Sequence, residues 1–522
     1  MSQAHVNVSA VTQALQARDG GPVRCLETHI SWVWLTPTHA YKVRKPVDLG
    51  FLNFTELSTR LQDCLDELRL NRRTAPTLYE GLIALRGPAD APSLTWVPDE
   101  QAVSPGPDVL DYAVCMLRFE AGSRLDELLQ AGRLDDRLAD ELTDTIVDFH
   151  GRAEPVSHRH HDGSREVRHV VAENLLQLQG QAGAKAEGGT LARYALWLVQ
   201  QEAVLRPLMR QREREGAVRD VHGDLHLENI CVFDGRVTLF DALEFNADMR
   251  RIDVLDDLAF LLMDLRARQA QRLARRVLNR YLEATGDYAG LPLLRYYMAY
   301  RAMVRVKVAW LTGGQQDKAA LYLALVDEII GPPPTRGLLI THGLSGSGKT
   351  TVSQEVLERI DAVRVRSDVE RRRLAQADRY APASTRLTYE HLARVAEAVV
   401  RSGYVAVVDA TFLQQSQRDP FHALAQRLGV PFVILHCQAA PDELRARIAA
   451  RLARGQDASE ADAGVLASQE AHQEPLSPEE EAQTWMIEHG RASAQAWSAL
   501  LARLGAPAQP GTSTLEPGRA GS

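Results

Sequence analysis

A chain of 522 residues exceeds what one ordinary hydrophobic core serves, so at least two domains are expected. Hydrophobic residues at 45% and charged residues at 25% are the balance of a packed globular protein and argue against a disordered or membrane-embedded chain. The formal charge of -8 supplies no global basic field, so nucleic acid is not an expected partner.

The amino terminus, MSQAHVNVSAVTQALQ, has neither the basic stretch nor the apolar segment of a signal peptide. No later run has the length to span a bilayer, so a cytoplasmic protein with no membrane partner is expected. The runs HISWVWL and AYKV, separated by Thr36-Pro37-Thr38-His39, predict a β-hairpin. From Asp135 to residue 330 the pattern is mostly helical. It is interrupted by RDVHGDLHLENICVFDGRVTLFDALEF, a loop and short hairpin turning at Asp234-Gly235. The first domain, 1–330, is thus strand-rich and then helical. Three prolines in 331–336, GPPPTR, end the helical pattern and hold the chain extended as a linker. Residues 337–504 then alternate strand and helix, which predicts an α/β domain with a parallel sheet. The tail 505–522 has too few apolar residues to offset the entropy of ordering and is expected to be disordered. Five scattered cysteines with no C-x-x-C pair predict neither a disulfide framework nor a zinc site.

Gly343-Leu344-Ser345-Gly346-Ser347-Gly348-Lys349-Thr350 fits G-x-x-x-x-G-K-[ST] between a predicted strand and a predicted helix. Gly343, Gly346, Ser347 and Gly348 would turn backbone N–H groups around phosphate oxygens, aided by the positive end of the helix that Thr350 and Thr351 open. Lys349 would reach the β- and γ-phosphates and Thr350 would ligate Mg2+. The plainer alternative is a flexible Gly/Ser turn, which does not require this spacing. Asp409 closes the apolar strand Tyr404–Val408, where a second magnesium carboxylate belongs; a helix cap is the competing role. Asp368 ends the preceding strand, where open α/β sheets place ligands, and could accept a proton from a substrate hydroxyl. Arg447, Arg451 and Arg454 share one helix face and could clamp phosphates, although such faces are commonly just solvated.

The motifs GLSGSGKTT, RSD, VVDATF and the Arg-bearing helix before GQDASEAD resemble the small P-loop kinase group that includes gluconate kinase, polynucleotide kinase and zeta-toxin-like proteins. The resemblance covers about residues 337–500. It implies ATP as cofactor, Asp368 as base or hydroxyl-orienting group, the Arg helix as a lid, and Arg418 as a weaker substrate-contact candidate.

In the first half, His222-Gly223-Asp224-Leu225-His226-Leu227-Glu228-Asn229 sets an aspartate and an asparagine five positions apart, followed by Asp241 after a short hairpin. Phosphoryl transfer needs one carboxylate for the acceptor hydroxyl, and an amide and a second carboxylate for metal ions. Asp224, Asn229 and Asp241 fit those roles in that order. The loop resembles that of the aminoglycoside phosphotransferase family, H-G-D-x-x-x-x-N, over about residues 20–325. The family acts on small-molecule hydroxyls, and the resemblance implies a bilobal, protein-kinase-like α+β fold. It also implies that Lys42 contacts the α- and β-phosphates and that Glu67 orients it, a solvated helix face being the plain alternative for Glu67. Lys45 is the other candidate lysine, but strand alternation puts it on the opposite face.

Several features depart from or complicate this pattern. Leu35–His39 contains no glycine to cover phosphates closely. No arginine stands immediately before Asp224, so switching through a phosphorylated loop is not expected. Asp253, Asp256 and Asp257 precede an apolar helix and are read as caps, with a substrate rim as the alternative. His150, His158, His160, His161 and His169 lack ligand spacing and are read as solvated loop residues. Trp310 is read as core.

The whole resembles bacterial proteins that fuse the two modules. Three functions are compatible with it: a phosphotransferase with two sites for ATP and Mg2+ and a small-molecule acceptor; an amino-terminal pseudokinase regulating an active P-loop kinase; or a P-loop module acting as an ATP-driven switch.

Overall fold

The computed structural model describes residues 6–48, 53–98, 106, 108–156, 187–312, 316–332, 335–374, 382–454, 463–488 and 493–505, with backbone only for 187–188, 311–312, 451–454, 463 and 488. By its contacts the chain divides into a first unit, Met1–Val277 with Leu293–Ile330, and a second, Leu278–Pro292 with Gly331–Ser522. The proposed histidine loop from residue 158 onward, the side chains of Arg451 and Arg454, and the carboxy-terminal tail lie outside the described residues.

The first unit opens with helix α1 (Val8–Asp19), capped by the Asn7 side chain. Strands β1 (Arg24–Glu27), β2 (Ser31–Leu35) and β3 (His39–Arg44) follow, then α2 (Leu57–Asn71), β4 (Tyr79–Arg86), β5 (Ser93–Trp96) and β6 (Val109–Leu117). They form one antiparallel sheet in the order β1-β2-β3-β6-β4-β5, and the β2–β3 hairpin is the one predicted. Alternation along β3 sorts its side chains. Tyr41 and Val43 pack toward α1 with Leu15 and Trp34, whereas Lys42 and Arg44 meet carboxylates of α2.

The chain continues with helices α3 (Leu125–Gln130), α4 (Asp136–Arg152), α5 (Glu187–Arg214), α6 (Val254–Ala267), α7 (Gln271–Thr285), whose residues from Leu278 onward count with the second unit, α8 (Leu291–Thr312) and α9 (Gln316–Ile330). Between α5 and α6 run β7 (Val218–Asp220), β8 (Ile230–Phe233), β9 (Arg236–Leu239) and β10 (Arg251–Asp253). The β8–β9 hairpin turns at Asp234 and Gly235, both with positive φ, as a two-residue turn of matching twist requires. The unit is therefore a bilobal α+β domain.

The second unit alternates β11 (Gly337–His342), α10 (Lys349–Arg359), β12 (Ala362–Arg366), α11 (Ser367–Arg373), α12 (Pro382–Arg401), β13 (Val405–Asp409), α13 (Gln415–Leu428), β14 (Phe432–Gln438), α14 (Pro441–Arg454), α15 (Ala463–His472), α16 (Pro478–Ala482), β15 (Thr484–Glu488) and α17 (Ala494–Arg503). The sheet is parallel, in the order β12-β13-β11-β14-β15. Helices on its faces explain why β13 reads as an apolar run up to Asp409: all five of its residues are buried. Each such valine contributes about 1.5–3 kcal/mol. At one end of the sheet Asn279 lies along β12, its Nδ2 donating to Ala362 O and its Oδ1 accepting from Arg364 N, both at 2.9 Å.

All five cysteines are free thiols. Among the described residues no helix is long and apolar enough to cross a membrane. Trp310, expected in the core, is only half-buried.

Candidate functional site

In the second unit the P-loop sits between β11 and α10. Its fold depends on two glycines in particular. A Cβ on Gly343, whose φ is +141°, would lie 2.3 Å from Cys437 O, and one on Gly346 would lie 2.9 Å from Leu444 O. No side chain fits at either place. Lys349 Nζ donates to Gly343 O (3.0 Å) and Leu344 O (2.7 Å), which folds the side chain back over the loop. Thr350 Oγ1 donates to Asp409 Oδ2 at 2.9 Å, so the hydroxyl and carboxylate expected at a magnesium ion stand together at the strand end. Arg447 reaches the loop, donating to Gly346 O at 3.2 Å.

A cavity of about 1650 Å³ opens over these groups and is lined by Gly346, Lys349, Thr350, Thr351, Asp368 and Asp409, among others. Asp368 lies 3.6 Å from Arg371 Nη1, and Arg366 Nε lies 3.9 Å from Asp409. Ser347 Oγ is buried beside the loop. Gln469, which the sequence reading did not single out, accepts from Ser345 N at 2.9 Å.

Arg418 is not a substrate contact. It is 1% exposed and gives two hydrogen bonds to Glu480 (2.6 and 3.0 Å) and one each to Phe412 O and Pro475 O. A buried guanidinium that gives four of its five N–H groups to the protein pins α13 to α16 and faces no ligand space of its own.

In the first unit Lys42 Nζ donates to Glu67 Oε1 (3.0 Å) and Asp241 Oδ1 (2.6 Å). Glu67 is fully buried rather than solvated. Lys45 points elsewhere, to Glu27. Asp241 adopts φ +59°, a conformation rare for a residue other than glycine, and its N–H donates to the Tyr79 hydroxyl. Burial works against its charge, but the Lys42 ammonium holds the carboxyl below its ordinary value.

Asp224 accepts from Asn229 Nδ2 at 2.8 Å and from His226 Nε2 at 3.3 Å. His226 Nδ1 accepts from Glu228 N, so Nε2 is the ring nitrogen turned toward Asp224. Arg305 Nη1 stands 3.3 Å from the same ring nitrogen. Burial opposes ionisation of Asp224, yet His226, Arg305 and His222 hold it well below the usual carboxylate range.

The three acids before α6 divide their roles. Asp253 caps the helix, accepting from Leu255 N, and pairs with Arg212. Asp256 pairs with Arg301. Asp257, fully buried, accepts from Gly223 N (2.8 Å) and His222 N (3.3 Å) and pairs with His150 Nε2 (3.1 Å). It therefore holds the Asp224 loop rather than capping its own helix or forming a rim. His150 correspondingly is no loop residue: it is 3% exposed in the last turn of α4. The available signal was the pair of acids, Asp256 and Asp257, inside the otherwise apolar LDDLAFLL. For Arg305 it was the i, i+4 pair with Arg301 on an apolar helix.

Residues 86–294 match the family model described as the phosphotransferase enzyme family, and residues 338–476 match one described as an AAA domain. Uncharacterized proteins of Mycobacterium tuberculosis and Mycobacterium bovis are each 29% identical over 464 residues, covering 85% of this chain and 89% of theirs. Among solved structures, a choline/ethanolamine kinase family protein from Mesorhizobium loti aligns at 12% identity and TM-score 0.38, over 61% of this chain and 91% of its own. A gluconokinase from Sinorhizobium meliloti aligns at 18% identity and TM-score 0.25, over 33% of this chain and 93% of its own. The chain thus carries a region that matches the phosphotransferase enzyme family model, followed by a P-loop domain that matches the AAA-domain model.

Proposed function

We propose that the chain is an ATP-dependent phosphotransferase with two nucleotide sites, one in 1–330 and one in 337–504, acting on small-molecule hydroxyls. One recurring arrangement carries the reading. Each unit brings together a phosphate-reaching lysine, a carboxylate suited to Mg2+ and a further carboxylate for the acceptor: Lys42, Asp241 and Asp224 in the first, Lys349, Asp409 and Asp368 in the second.

Oxygen donors suit Mg2+. In the second unit Thr350 and Asp409 would hold it, the loop amides and Arg447 would bind phosphates, and Asp368 would orient the acceptor. In the first unit Asn229 and Asp241 would hold it, with Asp224 facing the acceptor hydroxyl. Bound Mg2+ would neutralise the charge that develops on the phosphates.

A second reading, an amino-terminal pseudokinase, draws on one observation. Both turns preceding Lys42, at 28–30 and 36–38, are three residues long and lack glycine, and the second is pinned by Thr36 to Asp19 and by Arg118 to Thr36 O. Such turns give the phosphates little cover.

The test is a titration of the intact chain with a non-hydrolysable ATP analogue and magnesium. Two sites are expected, one weakened about tenfold to a hundredfold in Lys349→Ala, as loss of a charge-assisted contact implies. The other is weakened in Asp241→Ala. A single site in the intact chain, abolished by Lys349→Ala, sinks the two-site reading in favour of the pseudokinase. A metabolite screen with Asp224→Asn and Asp368→Asn variants then assigns any transfer activity to its unit.

A further inference from the structure

Arg44 stands two residues after Lys42 on the same face of β3 and is 1% exposed. Its Nε donates to Asp63, its Nη2 to Glu67 Oε2 at 2.8 Å and to Glu244, and its Nη1 to Ser31 Oγ at 2.8 Å. The carboxylate oxygens of Asp63, Glu67 and Glu244 lie within 4.8 Å of one another, a spacing that suits a cation. Here the guanidinium is that cation, and its planar fork matches several carboxylates where an ammonium would meet one or two.

The connections decide what this does. Glu67 divides its two oxygens between Lys42 and Arg44, so the group that orients Lys42 is itself fixed by Arg44. Asp63 and Glu67 lie one turn apart on α2, so an outward swing of that helix would strip Arg44 of two partners at once and leave buried charge uncompensated. Glu244 comes from the other lobe, three residues after Asp241. The same segment is tied to the strand lobe by Ala242 N donating to Asn71 Oδ1 (2.8 Å) and Asp241 N donating to Tyr79 Oη (3.1 Å). Arg44 thus links the strand that carries Lys42, the helix that carries Glu67 and the segment that carries Asp241.

We propose that Arg44 is a positioning residue: a pin between the lobes of the first unit that keeps Lys42, Glu67 and Asp241 assembled before nucleotide arrives, so that no separate activating event is needed. This rests on the reading of the first unit as an ATP site. The arrangement differs from a switched site, in which the orienting carboxylate is free to leave its lysine.

The test uses the full chain carrying Lys349→Ala, to weaken the second site, and reads affinity for a non-hydrolysable ATP analogue with magnesium together with the melting temperature. Arg44→Met should weaken binding at least tenfold, and Arg44→Lys should fall between it and the parent. The double variant Arg44→Met/Glu244→Gln removes a carboxylate left without its partner. It should regain melting temperature while affinity stays low, a separation that a purely structural role would not produce. If Arg44→Met does not fold, the double variant and Arg44→Lys decide. Affinity within twofold of the parent in Arg44→Met or in the double variant overturns the positioning role alone. Absence of binding in the Lys349→Ala parent overturns the first unit as an ATP site and this role with it.

Discussion

Replacing Asp257 tests whether the Asp224 loop is held from beneath. The buried carboxylate accepts from Gly223 N and His222 N and pairs with His150, so Asp257→Ala removes three bonds to a charged acceptor and takes that acceptor from two backbone amides. Bonds to charged groups contribute about 1.5–3 kcal/mol each, and breaking a buried pair from one side costs about 3–5 kcal/mol. Because the three bonds share one carboxylate they do not add, and roughly 4 kcal/mol is expected for the alanine variant. Asp257→Asn keeps one carbonyl oxygen for Gly223 N and should lose roughly half of that. A chain of two units need not unfold in one step, so the suitable measurement is local: hydrogen-exchange mass spectrometry of peptides spanning 219–229. A loss of about 4 kcal/mol raises the opening constant roughly a thousandfold. If Asp257→Ala changes exchange of that segment less than about fivefold, near 1 kcal/mol, the loop is held by something else and the argument fails.

Gly343→Ala places a methyl group against Cys437 O, so analogue binding at the second site should fall below detection while binding at the first is unaltered; retained binding at both would refute the close approach. Arg418→Met leaves Glu480 with its charge buried and should lower stability of the second unit by about 3–5 kcal/mol in denaturant titration, with a smaller loss in Arg418→Met/Glu480→Gln. Burial opposes ionisation of Glu228, but Arg305, His226, Lys318 and Arg268 hold its carboxyl at about 2, below the ordinary 4.5. Stability from a depressed acid is complete above the ordinary value and is lost as pH falls through the depressed one, so Glu228→Gln should flatten the acid limb of the melting profile between those two pH values. An unchanged profile would show that the pairing is not coupled to folding.

The parts that were readable in the sequence are those whose chemistry is local. The P-loop needs glycines, a lysine and a hydroxyl at fixed spacing, and Asp224 and Asn229 sit in one short loop, so neighbours along the chain already state the geometry. Arg44 was not readable, because its partners lie 19, 23 and 200 positions away and nothing beside Lys42 announces them. His150 was misread for the same reason: the histidine-rich stretch after it resembles a loop, while its own partner, Asp257, lies 107 positions later. Arg418 looked available because an arginine soon after an active-site strand is chemically apt for a substrate. Only the tertiary fold reveals that Glu480 has taken it. A pattern of residue types reports which groups could act, and burial decides which are already engaged.

The carboxamide of Asn279 reproduces the donor and acceptor of a peptide group, and it offers both to β12, the border strand of the sheet among the described residues. Unpaired strand borders are templates onto which a second chain can add, by the chemistry that builds amyloid and domain-swapped dimers. One side chain of matching shape thus occupies two of the backbone groups that a stopper against self-association would have to cover. Excising residues 337–504 would discard that side chain together with α7, exposing Ala362 and Arg364 as a sticky border. Insolubility of such a fragment would then reflect a lost guard and not a failure to fold.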